Sequence, residues 1–391
     1  MPSGARFLRR PEVPPQANYL ELFFDLVFVV ALTQLSRGLI DDLSWEGAYQ
    51  TLVLLMAVWW IWSITAWTTD LYDPQHPTIQ LMVTATMLGS LLLAVVLPDA
   101  FGERSLLFAG TYVAIPVGRQ LFLVLAQHGH ELQRRSIRVL AWFAVSAVPW
   151  IGGALVPGTG RAVLWTLALA VDYTAAVVRY SFPGLGRSPR SEWAIVAEHL
   201  AERYRQLFII ALGELILVVA LTLDGSDFAA PQIAAFVVSF VGTALFWRIY
   251  IHRAGELVPA AIAAASDRNR LAQWAAFAQL IMLAGIVATA VGDELVIAHP
   301  LGHTPPAWVA VILGGPALFL VGRAGFEYTV FARVSRHRLI GLLALAALTP
   351  AMPLGPPLLA ALAATTVLAG TAVADAARSH GRRPEPPSPP T

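Results

Sequence analysis

Apolar residues run along the chain in stretches close to 20 residues long, separated by short segments where Arg, Pro, Gly and Asp collect. A helix needs about 20 apolar residues to cross a hydrocarbon core of roughly 30 Å. The spacing therefore predicts twelve membrane helices, at about 19–40, 47–69, 78–97, 105–126, 138–156, 162–180, 205–223, 229–250, 271–292, 306–323, 338–351 and 354–375. Pro350, Pro353, Pro356 and Pro357 crowd the junction of the last two. The eleventh stretch is left with about 14 residues, short of the roughly 17 that span untilted, so this pair could also form a re-entrant hairpin.

The fold class expected is all-α, a polytopic membrane protein built from two parallel six-helix repeats. Arg138 opens the fifth stretch as Arg338 opens the eleventh, and Gly118-Arg119 closes the fourth as Gly322-Arg323 closes the tenth. Trp59-Trp60-Ile61-Trp62 has a counterpart in Phe246-Trp247-Arg248-Ile249-Tyr250, and the Pro98-Asp99 turn in Gly292-Asp293. Glu21-Leu22-Phe23-Phe24 likewise matches Glu202-Arg203-Tyr204-Arg205. Because six is even, both halves enter the membrane in the same sense, an arrangement found in secondary transporters. The organisation expected is an N-terminal tail (1–18), a first half (19–180), a charged linker (181–204), a second half (205–376) and a disordered C-terminal tail (377–391).

Composition agrees with a membrane protein. The 391 residues are 57% hydrophobic and 13% charged, against roughly 45–50% and about 25% in soluble proteins. Arg placement adds an orientation. Of the 26 basic residues, all of them Arg, only Arg37, Arg104 and Arg161 fall on the odd-numbered connections, and the rest share a face with both termini. Positive charge is retained on the cytoplasmic side, so both termini are expected in the cytoplasm of a bacterial inner membrane. The Pro- and Arg-rich start, followed by a helix with two acids, does not read as a cleavable signal peptide.

With no Lys, Schiff-base cofactors and phosphate-binding lysines are excluded; with no Cys, so are disulfides, thiolate catalysis and iron–sulfur clusters. No nucleophile–base pair, metal-ligand set or nucleotide-binding fingerprint occurs in the sequence, so neither an enzyme nor a cofactor is expected, and nucleic-acid binding has no support. The partners expected are the lipid bilayer and a small solute or ion, with homo-oligomerisation left open.

Ionisable groups inside hydrocarbon are costly and by default mark a pathway or a paired structural polar group. Glu214 stands about ten residues into the seventh stretch, hence roughly 15 Å from its end and near the midplane. Its readings are a protonatable or cation-binding carboxylate, or a neutral acid bonded to a neighbouring helix. Glu21 and Asp25, four apart, share a face of the first helix, where acids also suit the helix N-terminus. Thr33 and Gln34 lie deeper in that helix, and Asp172 is a further intramembrane acid. Before the seventh stretch, Glu198, His199, Glu202, Arg203 and Arg205 form a charged cluster. It reads either as a cytoplasmic gate with a titratable imidazole or as solvated ion pairs worth little. Arg119 and Arg323, equivalent in the two halves, either pair with Asp25 and the Glu202 region or snorkel to the interface. The pathway candidates are thus Asp25, Gln34, Asp172 and Glu214, and the gate candidates Glu21, Arg119, His199, Glu202, Arg203 and Arg323. The Trp residues read as interface belts and packing.

The string Glu21-Leu-Phe-Phe-Asp-Leu-Val-Phe-Val-Val-Ala-Leu-Thr-Gln-Leu35, with His199-x-x-Glu202-Arg203 and Leu212-Gly213-Glu214, resembles the bacterial low temperature requirement protein A family. The Trp59-Trp60-Ile-Trp62 run and Ala290-Val291-Gly292-Asp293-Glu294 are similar to it as well, so the resemblance extends from Tyr19 to about Ala374. It implies a polytopic inner-membrane protein of two related halves, linked by name to growth in the cold, with no established substrate. Gln279 stands where family members are expected to carry His. Phe24-Asp25 is also similar to the Phe-Ser-Asp motif of a lysosomal potassium and proton channel family, without its Ser. The function expected is a secondary transporter, proton-coupled through Glu214. The alternatives are an ion channel constricted by the apolar side chains of the first and seventh helices, and a non-transporting protein of lipid homeostasis.

Overall fold

The computed structural model describes residues 7–8, 19–186, 189, 197–251, 254–265, 267–379 and 387–390. Most of the two expected tails and residues 187–188 and 190–196 of the expected linker lie outside the described residues. The described residues are mainly helical: α1 (Tyr19–Asp41), α2 (Trp45–Leu71), α3 (Pro77–Val96), α4 (Ser105–Ala126), α5 (Leu132–Leu155), α6 (Thr159–Val177), α7 (Ala197–Asp224), α8 (Ala230–Ile251), α9 (Ala254–Ala264), α10 (Arg268–Ala298), α11 (Pro306–Phe331), α12 (Arg336–Leu348) and α13 (Pro357–Ser379). Among the described residues the only β pairing is two isolated bridges. A helix satisfies its own backbone polar groups, which is the condition for lying in hydrocarbon.

Ten of these helices are long and apolar enough to cross a membrane. The protein is therefore a multi-pass membrane protein of the all-α class. The two expected spans outside that set are α6, whose 19 residues include Arg161 and Asp172, and α12, which has 13 residues. Several boundaries differ from the sequence reading: α5 begins six residues early and α11 ends eight residues late, at Phe331. α7 begins eight residues early and takes the charged cluster into the helix; α10 runs on to Ala298, so Gly292-Asp293 is helical rather than a turn; and α9, 11 residues with Pro259 inside, occupies an expected loop. Starts follow local chemistry. His76 accepts from the Thr78 amide (3.2 Å) ahead of Pro77, and Asp267 caps α10 by accepting from the Arg270 amide (3.2 Å).

The chain forms two compact units, one of residues 1–35 and 49–203, the other of residues 36–48 and 204–391. In the first, aromatic rings fill the core: Phe108, Trp150 and Trp165 are fully buried, with ring centroids 5.2–6.1 Å apart. Trp59, Trp60 and Trp62 are buried as well, so this run is packing and not an interface belt. On α3, by contrast, Leu81, Leu88 and Val95, seven apart, are half or more exposed, an apolar stripe suited to lipid.

In the second unit α10 and α11 touch backbone to backbone. A Cβ added at Gly285 would stand 2.5 Å from the Phe319 amide nitrogen and 2.8 Å from the Gly315 carbonyl oxygen. Small residues at such a crossing let membrane helices approach closely. Gly285→Val is expected to force them apart at a cost of about 1–3 kcal/mol. Thermal unfolding in detergent checks this, and an unchanged midpoint would mean that the contact is not needed.

Candidate functional site

The charged cluster ahead of the seventh predicted helix is not solvated. As the first two turns of α7 it has two faces: Glu198 is exposed and Glu202 half-buried, while His199 and Arg203, four apart, are fully buried. In the first unit that buried face meets the acidic face of α1. Glu21 accepts from His199 Nε2 (3.0 and 3.2 Å), and on the other side of the ring His199 Nδ1 lies 3.0 Å from Asp70 Oδ1. An imidazole flanked by two ionised carboxylates satisfies both when each nitrogen carries a proton. One turn further, Arg203 holds Asp25 with a fork, Nη1 to Oδ2 at 3.0 Å and Nη2 to Oδ1 at 2.7 Å. Trp62 Nε1 donates to Asp25 Oδ1 (2.8 Å), and its ring centroid lies 5.6 Å from the Arg203 guanidinium carbon. Both pairs join residues 178 apart, so α1 and α7 run in the same direction here.

Trp62→Phe removes the donor and also shrinks a fully buried ring. The hydrogen bond to a charged group is expected to account for about 1.5–3 kcal/mol of the loss, a part that disappears when Asp25 is already Ala, while the packing part remains. A double-mutant cycle on melting temperature measures it; additive effects would show that Trp62 acts through packing alone.

Three other candidates of the first unit stand apart from this cluster. Asp172 is buried on α6, accepting from Tyr112 Oη (3.0 Å) and Trp150 Nε1 (3.2 Å) through Oδ2. Trp165 donates to the Trp150 carbonyl (3.0 Å), and a Cβ at Gly153 would lie 2.5 Å from the Trp165 ring, so glycine makes room for that indole. Arg119 does not reach Asp25. It is buried and donates to Thr65 Oγ1 (3.1 Å), while Asp25 is held by Arg203. Gln34 is half-buried and joins none of these groups.

Glu214 belongs to the second unit and is fully buried on α7. Ser36 Oγ donates to its Oε1 (2.7 Å), again across 178 residues, while Oε2 has no hydrogen-bond partner among the described residues. Asp293 and Glu294 of α10 lie near enough for their charges to act on it, and Ser239 of α8 stands beside Asp293. Asp293 is itself 9% exposed, and its Oδ2 also has no partner. The arrangement is a buried, acceptor-rich site open to a proton or a small cation. Arg323, buried on α11, donates from Nε to the Ile249 carbonyl (2.9 Å). Gln279, in place of the expected His, bridges Tyr250 Oη (3.4 Å) and the Tyr204 carbonyl (3.3 Å). Among the described residues no group of three or more His, Asp or Glu could hold a metal ion.

Asp70, Trp62, Ser36 and Asp293 complete these sites and were not candidates from sequence. Asp70 carried a usable signal, an acid in the last turn of α2, where the helix dipole disfavours negative charge and a partner is required. Asp293 was taken for a turn residue because a charge ended the apolar stretch.

Comparison with known proteins points one way. The model of the family described as bacterial low temperature requirement A protein matches residues 16–373. An uncharacterized protein of Rhizobium meliloti (strain 1021) is 38% identical over 316 residues, which is 78% of this chain and 76% of that protein. No solved structure matches.

Proposed function

Because the chain belongs to the bacterial low temperature requirement A protein family, we propose that this multi-pass membrane protein is a secondary transporter of a small solute or ion, coupled to protons through Glu214. Its place is the bacterial inner membrane with both termini cytoplasmic, as the Arg distribution favours, and its two six-helix halves are parallel repeats. The observation that carries the reading is the state of Glu214: fully buried, one oxygen held by Ser36, the other without a partner, and further carboxylates nearby. A buried acid so placed binds a proton readily and releases it when its surroundings rearrange. The Glu21–His199–Asp70 and Asp25–Arg203–Trp62 contacts are the charged gate at the start of α1 and α7.

The test is proton flux into liposomes carrying the purified protein, followed by a trapped pH-sensitive dye under an imposed pH gradient. Saturable flux in the wild type that vanishes in Glu214→Gln is expected. Flux of wild-type size in the variant removes Glu214 from the mechanism, and unsaturable flux with single-channel currents replaces the carrier by a channel.

A further inference from the structure

The first unit holds a small, open-sided cavity of about 40 Å³ where the ends of α2, α4 and α6 meet the start of α5. Its polar wall is rich in donors, with Gln120 and Tyr72 adding groups that can also accept. Arg119 is 4% exposed; one Nη donates to Thr65 Oγ1, and the buried Nε has no hydrogen-bond partner. Among the described residues no carboxylate stands within ion-pair distance of this guanidinium, and no Asp or Glu lines the cavity. Trp67 of α2 lines it too, and its buried indole N–H is likewise without a partner. Arg135, from the first turn of α5, adds a second guanidinium, while the Ser136 hydroxyl beside it already donates to Gln127 Oε1 (3.0 Å). Tyr180, just past α6, lies within electrostatic reach of both Arg119 and Arg135.

The backbone at Tyr180 is unusual. Arg179 and Tyr180 have φ of 55° and 53°, the left-handed region that bulky residues avoid. Such conformations cluster at ligand sites, where the surroundings over-determine them. A buried guanidinium facing no carboxylate is expensive in itself. What completes this wall is a group that carries negative charge, only accepts hydrogen bonds and has more than two oxygens to share among several donors.

We infer that this cavity binds a phosphate-type oxyanion, with Arg119 and Arg135 as its charge partners and Trp67 and Tyr180 as neutral donors. Phosphate can arrive here from either of two sources, the headgroup of an anionic phospholipid or free inorganic phosphate. Basic pockets between membrane helices on the Arg-rich side are the usual seat of anionic headgroups. No residue invoked for proton coupling takes part.

Two arms of one experiment, run on the full-length purified protein, test the inference. In detergent, thermal stability is titrated with sodium phosphate against sodium chloride at matched ionic strength. From nanodiscs of equal phosphatidylglycerol and phosphatidylcholine, native mass spectrometry counts the lipids retained. The wild type is expected to respond to phosphate, or to retain phosphatidylglycerol preferentially, and the responding arm identifies the source. Arg119→Gln is expected to reduce that response at least about tenfold, as loss of a charge-assisted bidentate contact does. Arg135→Gln, at a half-buried and more tolerant position, is expected to weaken it in the same direction and serves if Arg119→Gln does not fold. No response of the wild type in either arm, or wild-type responses from the folded variants, overturns the inference.

Discussion

Replacing Asp25 by Ala is expected to cost the fold about 3–5 kcal/mol, because it leaves the Arg203 guanidinium buried with its carboxylate partner removed. The cost comes mainly from that stranded charge, since a hydrogen bond exchanged for one to water contributes little, whereas an unsatisfied buried ion bears its full desolvation. The double variant Asp25→Leu with Arg203→Met should therefore recover most of the loss, as replacement of a whole buried pair by apolar side chains often does. Melting temperatures of the single and double variants in detergent decide it. A single variant as stable as wild type, or a double variant no better than the single, would show that this pair does not hold α1 to α7.

Glu214→Gln should do the opposite: fold normally and fail to work. The carboxamide has the shape of the carboxyl and keeps an oxygen to accept from Ser36 Oγ, so the packing around it is preserved. What it cannot do is gain and lose a proton, and pH-driven flux is expected to fall to that of protein-free liposomes. Ser36→Ala separates structure from titration. It removes one hydrogen bond, about 1 kcal/mol, yet leaves the carboxyl able to titrate, so flux should persist with a shifted pH dependence. Equal loss in both variants would mean that the hydrogen bond, and not the proton, is what matters.

Much of the fold was legible because apolar length is a strong signal: most of the twelve predicted spans coincide with helices to within a few residues. The failures share one physical cause, that charge reads as loop when partners are unknown. Arg203 and His199 looked like a solvated cluster until α1 supplied Asp25 and Glu21, and Asp293 looked like the end of a helix that continues through Leu295, Val296 and Ile297, all buried. Glu21, Asp25 and Glu214 were visible as acids inside apolar stretches. Their pairings were not, since His199, Arg203 and Ser36 each lie 178 residues from the acid they meet. Arg119 was seen with its partner left open between a carboxylate and the interface, because spacing along one helix says nothing about which group of a neighbouring helix meets it; the structure places Thr65 there.

The separation of 178 residues between α1 and its partners on α7 also sets a schedule for synthesis. At about 5–20 residues per second the ribosome needs roughly 9–36 s to make that length of chain. Throughout that interval α1 exists with Glu21 and Asp25 but without His199 and Arg203. The first helix made can thus meet Trp62 of α2 early, but its two buried acids wait for their cationic partners until the start of α7 has been made.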